Sequence, residues 1–135
     1  KAVTETLIQK SRPHLFSNAL PPSVAAAGSK ALELLDASPE RVAALQKKSA
    51  DFRILLKSKG LNPLEGESAV VPVIVGETAT AIRLAGELLE KGIFVTGFGY
   101  PVVPEGEARL RFQLSYAHTD AELQEAASAL AVLLG

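Results

Sequence analysis

The sequence predicts an α+β fold: a small antiparallel sheet covered on one face by helices. Residues 108–115 alternate strictly, placing Ala108, Leu110, Phe112 and Leu114 on one side and Arg109, Arg111, Gln113 and Ser115 on the other. That period of two marks a half-buried strand. After an opening segment, the remaining stretches follow in the order helix, helix, strand, helix, short strand, strand, helix. Such an order layers helices over one side of a sheet. The 135 residues are 47% hydrophobic but only 5% aromatic, so the core is built mainly from Leu, Val, Ile and Ala.

Residues 1–10 carry Val3, Leu7 and Ile8 and read as the tail of a helix. Residues 11–22 read as irregular, because Pro13, Pro21 and Pro22 restrict their predecessors and lack an amide donor. Phe16 and Leu20 in that stretch are larger than a surface loop requires, which suggests packing against a partner. Residues 22–35 form a helix that Pro22 starts and alanines sustain. Ser38-Pro39-Glu40 opens the next helix, with Val42, Leu45, Ser49, Phe52 and Leu56 as its stripe. Gly60 follows two lysines and ends it.

Residues 69–75 predict a strand, and Pro72 confines it to an edge or a bulge. A helix over 78–91 is expected to bury Ile82, Ala85 and Leu89 and to stop at Gly92. Residues 93–95 predict a short strand. Gly97-Phe98-Gly99-Tyr100-Pro101 reads as a loop whose glycines supply backbone freedom. Thr119-Asp120-Ala121-Glu122 is a capping box, and Leu123, Ala126, Ala127, Leu130 and Leu134 line the helix behind it.

Composition excludes several function classes. Fourteen basic and 15 acidic residues give a net charge of -1, which offers no long-range attraction to nucleic acid or an acidic membrane. Without cysteine there is no disulfide or thiolate chemistry. His14 and His118 fall in no HxxH or HExxH spacing, which argues against zinc. No apolar run approaches the roughly 20 residues that span a bilayer, and no charged-then-apolar leader is present. No dinucleotide or P-loop glycine pattern occurs.

The polar face of the 108–114 strand is the most informative feature. Arginine presents a rigid fork that matches a carboxylate at two points. Arg109 and Arg111 therefore mark a carboxylate clamp, a solvated face, or an ion pair with another domain. His118, between a strand and a capped helix, reads as structural, and His14 as a loop anchor. Ser17 and Asn18 offer a hydroxyl and an amide, for a phosphate or for nearby backbone groups. Residue pattern alone leads to an α+β domain that is part of something larger.

Three stretches resemble one enzyme family. Arg12-Pro13-His14-Leu15-Phe16-Ser17-Asn18-Ala19-Leu20-Pro21-Pro22 resembles the segment after the cofactor lysine of the α-oxoamine synthases. Gly97-Phe98-Gly99-Tyr100-Pro101-Val102-Val103-Pro104-Glu105-Gly106 resembles their substrate-side loop. Residues 108–119 resemble the strand and helix start that follow. The likeness spans essentially the whole chain, about the last third of a family member.

The resemblance implies the C-terminal domain of a fold-type I transferase dependent on pyridoxal 5'-phosphate. Residues 1–22 would be an interdomain or interface segment and residues 23–135 the C-terminal small domain. The branch implied condenses glycine with acetyl-CoA to 2-amino-3-oxobutyrate and CoA. The alternatives are a branch joining alanine to pimeloyl-CoA, and a non-catalytic interaction domain. Arg111 matches the family arginine that binds the amino-acid carboxylate. Ser17 matches a position reaching the cofactor phosphate of the neighbouring subunit. Asn18 stands where many relatives carry Thr.

A cytoplasmic homodimer is implied, with no nucleic-acid or membrane partner. Lys1, in place of Met, points to a piece of a longer chain. Only Lys1 and Lys10 precede Arg12-Pro13, and neither sits in the family's lysine motif. The chain alone is therefore expected to be inactive, with no catalytic residue of its own. Stranded apolar surface should make it self-associate or leave it marginally stable.

Overall fold

The computed structural model describes the backbone of all 135 residues and every side chain except those of His14 and Leu15. The anchoring expected of His14 thus lies outside the described residues. The chain forms two compact units, Lys1–Ser38 and Pro39–Gly135.

The first unit contains α1 (Ala2–Lys10), α2 (Arg12–Leu15) and α3 (Pro22–Asp36). The sequence left residues 11–22 irregular, whereas α2 is a single helical turn. Pro13 permits it by occupying the first turn, where no amide partner is needed. None of the described residues of α1 or α3 is buried. Phe16 and Leu20 are exposed by 68% and 64%, large apolar side chains without cover in this chain.

The second unit contains α4 (Pro39–Ser58), β1 (Val70–Gly76), α5 (Thr78–Glu90), β2 (Thr96–Phe98), β3 (Ala108–Gln113) and α6 (Asp120–Leu134). The strands pair antiparallel in the order β1-β3-β2, so the alternating strand is central. Pro72 accordingly sits on an edge strand, opposite Arg111.

One face of the sheet meets the helices. Val71 pairs with Phe112 and Val73 with Leu110, and all four are buried against Phe52 and Leu56 of α4, Leu84 and Leu88 of α5, and Leu130 of α6. The rings of Phe52 and Phe112 meet edge to face, with centroids 5.5 Å apart. Ser49, the polar member of the α4 stripe, is fully buried and donates back to the Leu45 carbonyl at 2.8 Å. That bond satisfies its hydroxyl within the helix.

Two elements differ from the sequence reading. α5 buries Ala81, Leu84 and Leu88, while Ile82 and Leu89 are exposed. Both stripes have helical period, so periodicity cannot choose between them. The choice follows from close packing: a Cβ at Gly97 would lie 2.8 Å from the Ala81 carbonyl oxygen. A small residue must face β2 there, and Ala81 is small where Ile82 is not. The short strand is Thr96–Phe98 rather than residues 93–95. Ile93 still closes the helix, donating to the Leu88 carbonyl at 2.9 Å. Residues 93–95 therefore carry the chain from α5 to the sheet before pairing begins.

Candidate functional site

The face of the sheet turned away from the core carries Val70, Pro72 and Ile74 of β1, Thr96 and Phe98 of β2, and Arg109, Arg111 and Gln113 of β3. Their placement follows from strand alternation, since their neighbours fill the core. All except Gln113 are half-buried.

The two arginines differ in their engagements. Arg109 turns back on its own strand end: Nε donates to the Glu107 carbonyl at 3.0 Å, and a terminal nitrogen donates to the Glu107 carboxylate at 2.9 Å. Arg111 has no carboxylate within ion-pair distance among the described residues. Its guanidinium carbon lies 4.8 Å from the centre of the Phe98 ring. Its Nε is buried without a hydrogen-bond partner. Of the two cations singled out from sequence, Arg111 alone keeps its charge unpaired.

Beside Arg111 runs a half-open groove of about 740 Å³, lined by residues 91–96, the end of β3 and the start of α6. Its volume is in the range of small-molecule sites, roughly 300–1,000 Å³. Ser115, His118 and Glu122 stand on its wall. His118 Nδ1 accepts from the Ser115 amide at 3.0 Å, so this imidazole shapes a turn. Glu122 accepts from the Thr119 amide at 2.7 Å and from the Thr119 hydroxyl at 2.9 Å, completing the capping box. The amide bond, then the hydroxyl bond, holds the Glu122 carboxyl below the ordinary glutamate value. Lys48 donates to the backbone carbonyls of Tyr116 and His118, which ties α4 to this turn. Lys48 and Arg41 also stand over the Tyr116 ring.

Ser17 and Asn18 lie in the first unit, both exposed, and Asn18 has a positive φ of 50°. Asparagine is among the few non-glycine residues that tolerate that region. No group of three or more His, Cys, Asp or Glu suited to a metal ion occurs among the described residues. Nor is any helix among them long and apolar enough to cross a membrane.

Phe98 and Glu107 went unremarked in the sequence as partners of arginines. The signal lies in strand register, which places Phe98 opposite Arg109 and one step diagonal to Arg111. That register is visible only once the pairing is known.

Comparison with known proteins defines the class first. Residues 1–130 match the family model described as Aminotransferase class I and II. The chain is 43% identical over 129 residues to 2-amino-3-ketobutyrate coenzyme A ligase of Escherichia coli, covering 96% of this chain and 32% of that protein. It is 41% identical over 131 residues to 8-amino-7-oxononanoate synthase of Symbiobacterium thermophilum, covering 97% and 33% respectively. Its fold matches serine palmitoyltransferase of Sphingomonas wittichii with a TM-score of 0.79 at 30% identity, over 96% of this chain and 33% of that one. The chain belongs to the α-oxoamine synthase family of fold-type I, pyridoxal-phosphate-dependent enzymes. It spans about a third of the length of the curated relatives it matches.

Proposed function

We propose that this chain is the C-terminal part of an acyltransferase that condenses glycine with acetyl-CoA, giving 2-amino-3-oxobutyrate and CoA. Arg111 grips the carboxylate of the amino acid. The observation that carries the reading is the unpaired guanidinium of Arg111, standing on the open sheet face against Phe98. Arg109 is a poorer candidate, because Glu107 already occupies it.

The reading places residues 1–22 at the interface between domains and subunits of a cytoplasmic homodimer. Exposed hydroxyl and amide donors suit phosphate oxygens. Ser17, with Asn18 beside it, would hold the phosphate of pyridoxal 5'-phosphate. The reading assigns the ring of that cofactor to residues outside this chain. Bound pyridoxal phosphate provides an electron sink for negative charge at the amino acid's α-carbon. The chain's own contribution is positional. A carboxylate held by a planar fork loses rotational freedom, and its α-carbon bonds are fixed in direction before reaction.

A second reading is the condensation of alanine with pimeloyl-CoA, favoured by the 41% identity to an 8-amino-7-oxononanoate synthase. Steady-state assays of the whole enzyme with each substrate pair separate the two. A higher kcat/KM for alanine plus pimeloyl-CoA would overturn the glycine assignment. In the same assay Arg111→Ala should lower kcat/KM for the amino acid roughly 30- to 150-fold, the worth of about 2–3 kcal/mol of charge-assisted hydrogen bonding. The acyl-CoA KM should hold. An Arg111→Ala enzyme with unchanged amino-acid kinetics would remove the clamp. The 135-residue chain by itself should turn nothing over, and a lysine-linked cofactor absorbance band in it would contradict that.

A further inference from the structure

We propose that Phe98 is the positioning residue for Arg111: its ring fixes the guanidinium on the open face of the sheet. The inference rests on the assignment of Arg111 as the carboxylate clamp and extends it to the residue that makes the clamp rigid.

The geometry begins with Gly97-Phe98-Gly99. Neither glycine has positive φ, so backbone freedom, the sequence expectation, is not why they are there. Both are sites of close approach. A Cβ on Gly97 would lie 2.8 Å from the Ala81 carbonyl oxygen, and one on Gly99 would lie 2.3 Å from Thr78 Cγ2. Real Cβ atoms do not come so close. The two glycines press β2 onto the N-terminal half of α5, and Thr78 Oγ1 accepts from the Tyr100 amide at 3.1 Å. With both flanking positions turned to the helix, strand alternation sends the Phe98 side chain to the opposite face.

There Phe98 pairs with Arg109 and Thr96 with Arg111, so Phe98 and Arg111 are diagonal neighbours. Diagonal positions are within reach of an aromatic ring and a long side chain. Arg109, directly opposite the ring, is drawn off by Glu107 at 2.9 Å. The ring is left to Arg111, 4.8 Å away. A cation over an aromatic face is attracted by the ring quadrupole. The stack also shields Nε, which is buried and unpartnered. The terminal nitrogens are left as the donors for a carboxylate, met end-on. An unrestrained arginine side chain would lose several rotamers on binding, and one already stacked loses fewer.

Two measurements test this. The first uses the whole enzyme and the side-chain Nε–Hε resonance of Arg111. In the unaltered enzyme that resonance should be ring-current shifted and protected from solvent exchange. Phe98→Leu should return it to an ordinary arginine position, and Phe98→Tyr should keep it. An unshifted resonance in the unaltered enzyme, or a shift that survives Phe98→Leu, overturns the proposal without any need for a folded variant.

The second uses the same enzyme. Phe98→Leu should raise the amino-acid KM roughly three- to tenfold, leaving the acyl-CoA KM in place, and Phe98→Tyr should restore it to within about twofold. A fall in kcat alone, or equal rises in both KM values, would mark Phe98 as merely structural and overturn the proposal. If the resonance behaves as expected while Arg111→Ala leaves amino-acid kinetics intact, the clamp assignment fails and the stacking stands.

Discussion

Replacing Arg53 with methionine should destabilise the chain by about 3 kcal/mol. Arg53 lies within α4 and is only 5% exposed, yet among the described residues it forms no ion pair. Its guanidinium donates to four backbone carbonyls: Leu64 at 3.2 Å, Ser49 at 3.2 Å, Ser68 at 3.1 Å and Val70 at 2.9 Å. The Ser49 carbonyl sits inside the helix ladder, and the Val70 carbonyl also accepts from the Ser68 hydroxyl at 3.2 Å. Two carbonyls, of Leu64 and Ser68, therefore depend chiefly on Arg53. Bonds to a charged donor contribute roughly 1.5–3 kcal/mol each. Two such bonds total roughly 3–6 kcal/mol, and partial access of water to the loop places the loss near the lower end, about 3 kcal/mol. Methionine keeps most of the apolar stem, so the loss isolates the hydrogen bonds. Urea titration of the unaltered chain and Arg53→Met should show a lower midpoint at equal slope. Arg53→Lys should fall between, since one ammonium cannot span the same carbonyls. A shift within about 0.5 kcal/mol for Arg53→Met, the range of an ordinary surface change, would refute the stabilising role of these four bonds.

Two further outcomes follow from the same structure. Glu122, held below the ordinary glutamate value by Thr119, binds fewer protons folded than unfolded. Its contribution to the start of α6 is full above the ordinary glutamate range and disappears as pH falls through the lowered folded value. The protection factor of the Thr119 amide, taken against its intrinsic exchange rate, should fall over that window, and Glu122→Gln, which preserves the capping geometry, should remove that fall. Gly97→Ala should lower stability by about 1–3 kcal/mol, because the new methyl meets the Ala81 carbonyl, and thermal unfolding would read the drop directly.

The fold was legible where one residue type had one physical meaning. Alternation at 108–114 fixed β3, including which side each arginine takes. Thr119 and Glu122 announced the start of α6, and Gly60, with φ of 77°, ends α4 as expected. Legibility failed where two answers shared one pattern. The apolar residues of α5 satisfy two helical stripes, and only contact with Gly97 selects between them. Residues 93–95 are as apolar as a strand but are spent in crossing from helix to sheet. Arg53 gave no signal at all, because its partners are backbone carbonyls and these have no letter in a sequence. The site was half legible: Arg111 stood out by resemblance and by alternation. Its ring partner and the rival arginine's partner depended on pairing register.

The central position of β3 limits how such a protein can change. Hydrogen-bonded on both edges, this strand has no free side onto which a slipped residue could move. A single insertion between Ala108 and Gln113 would turn leucines outward and drive guanidinium groups among them. Drift in what the open face recognises must therefore come through exchange of side chains at fixed length.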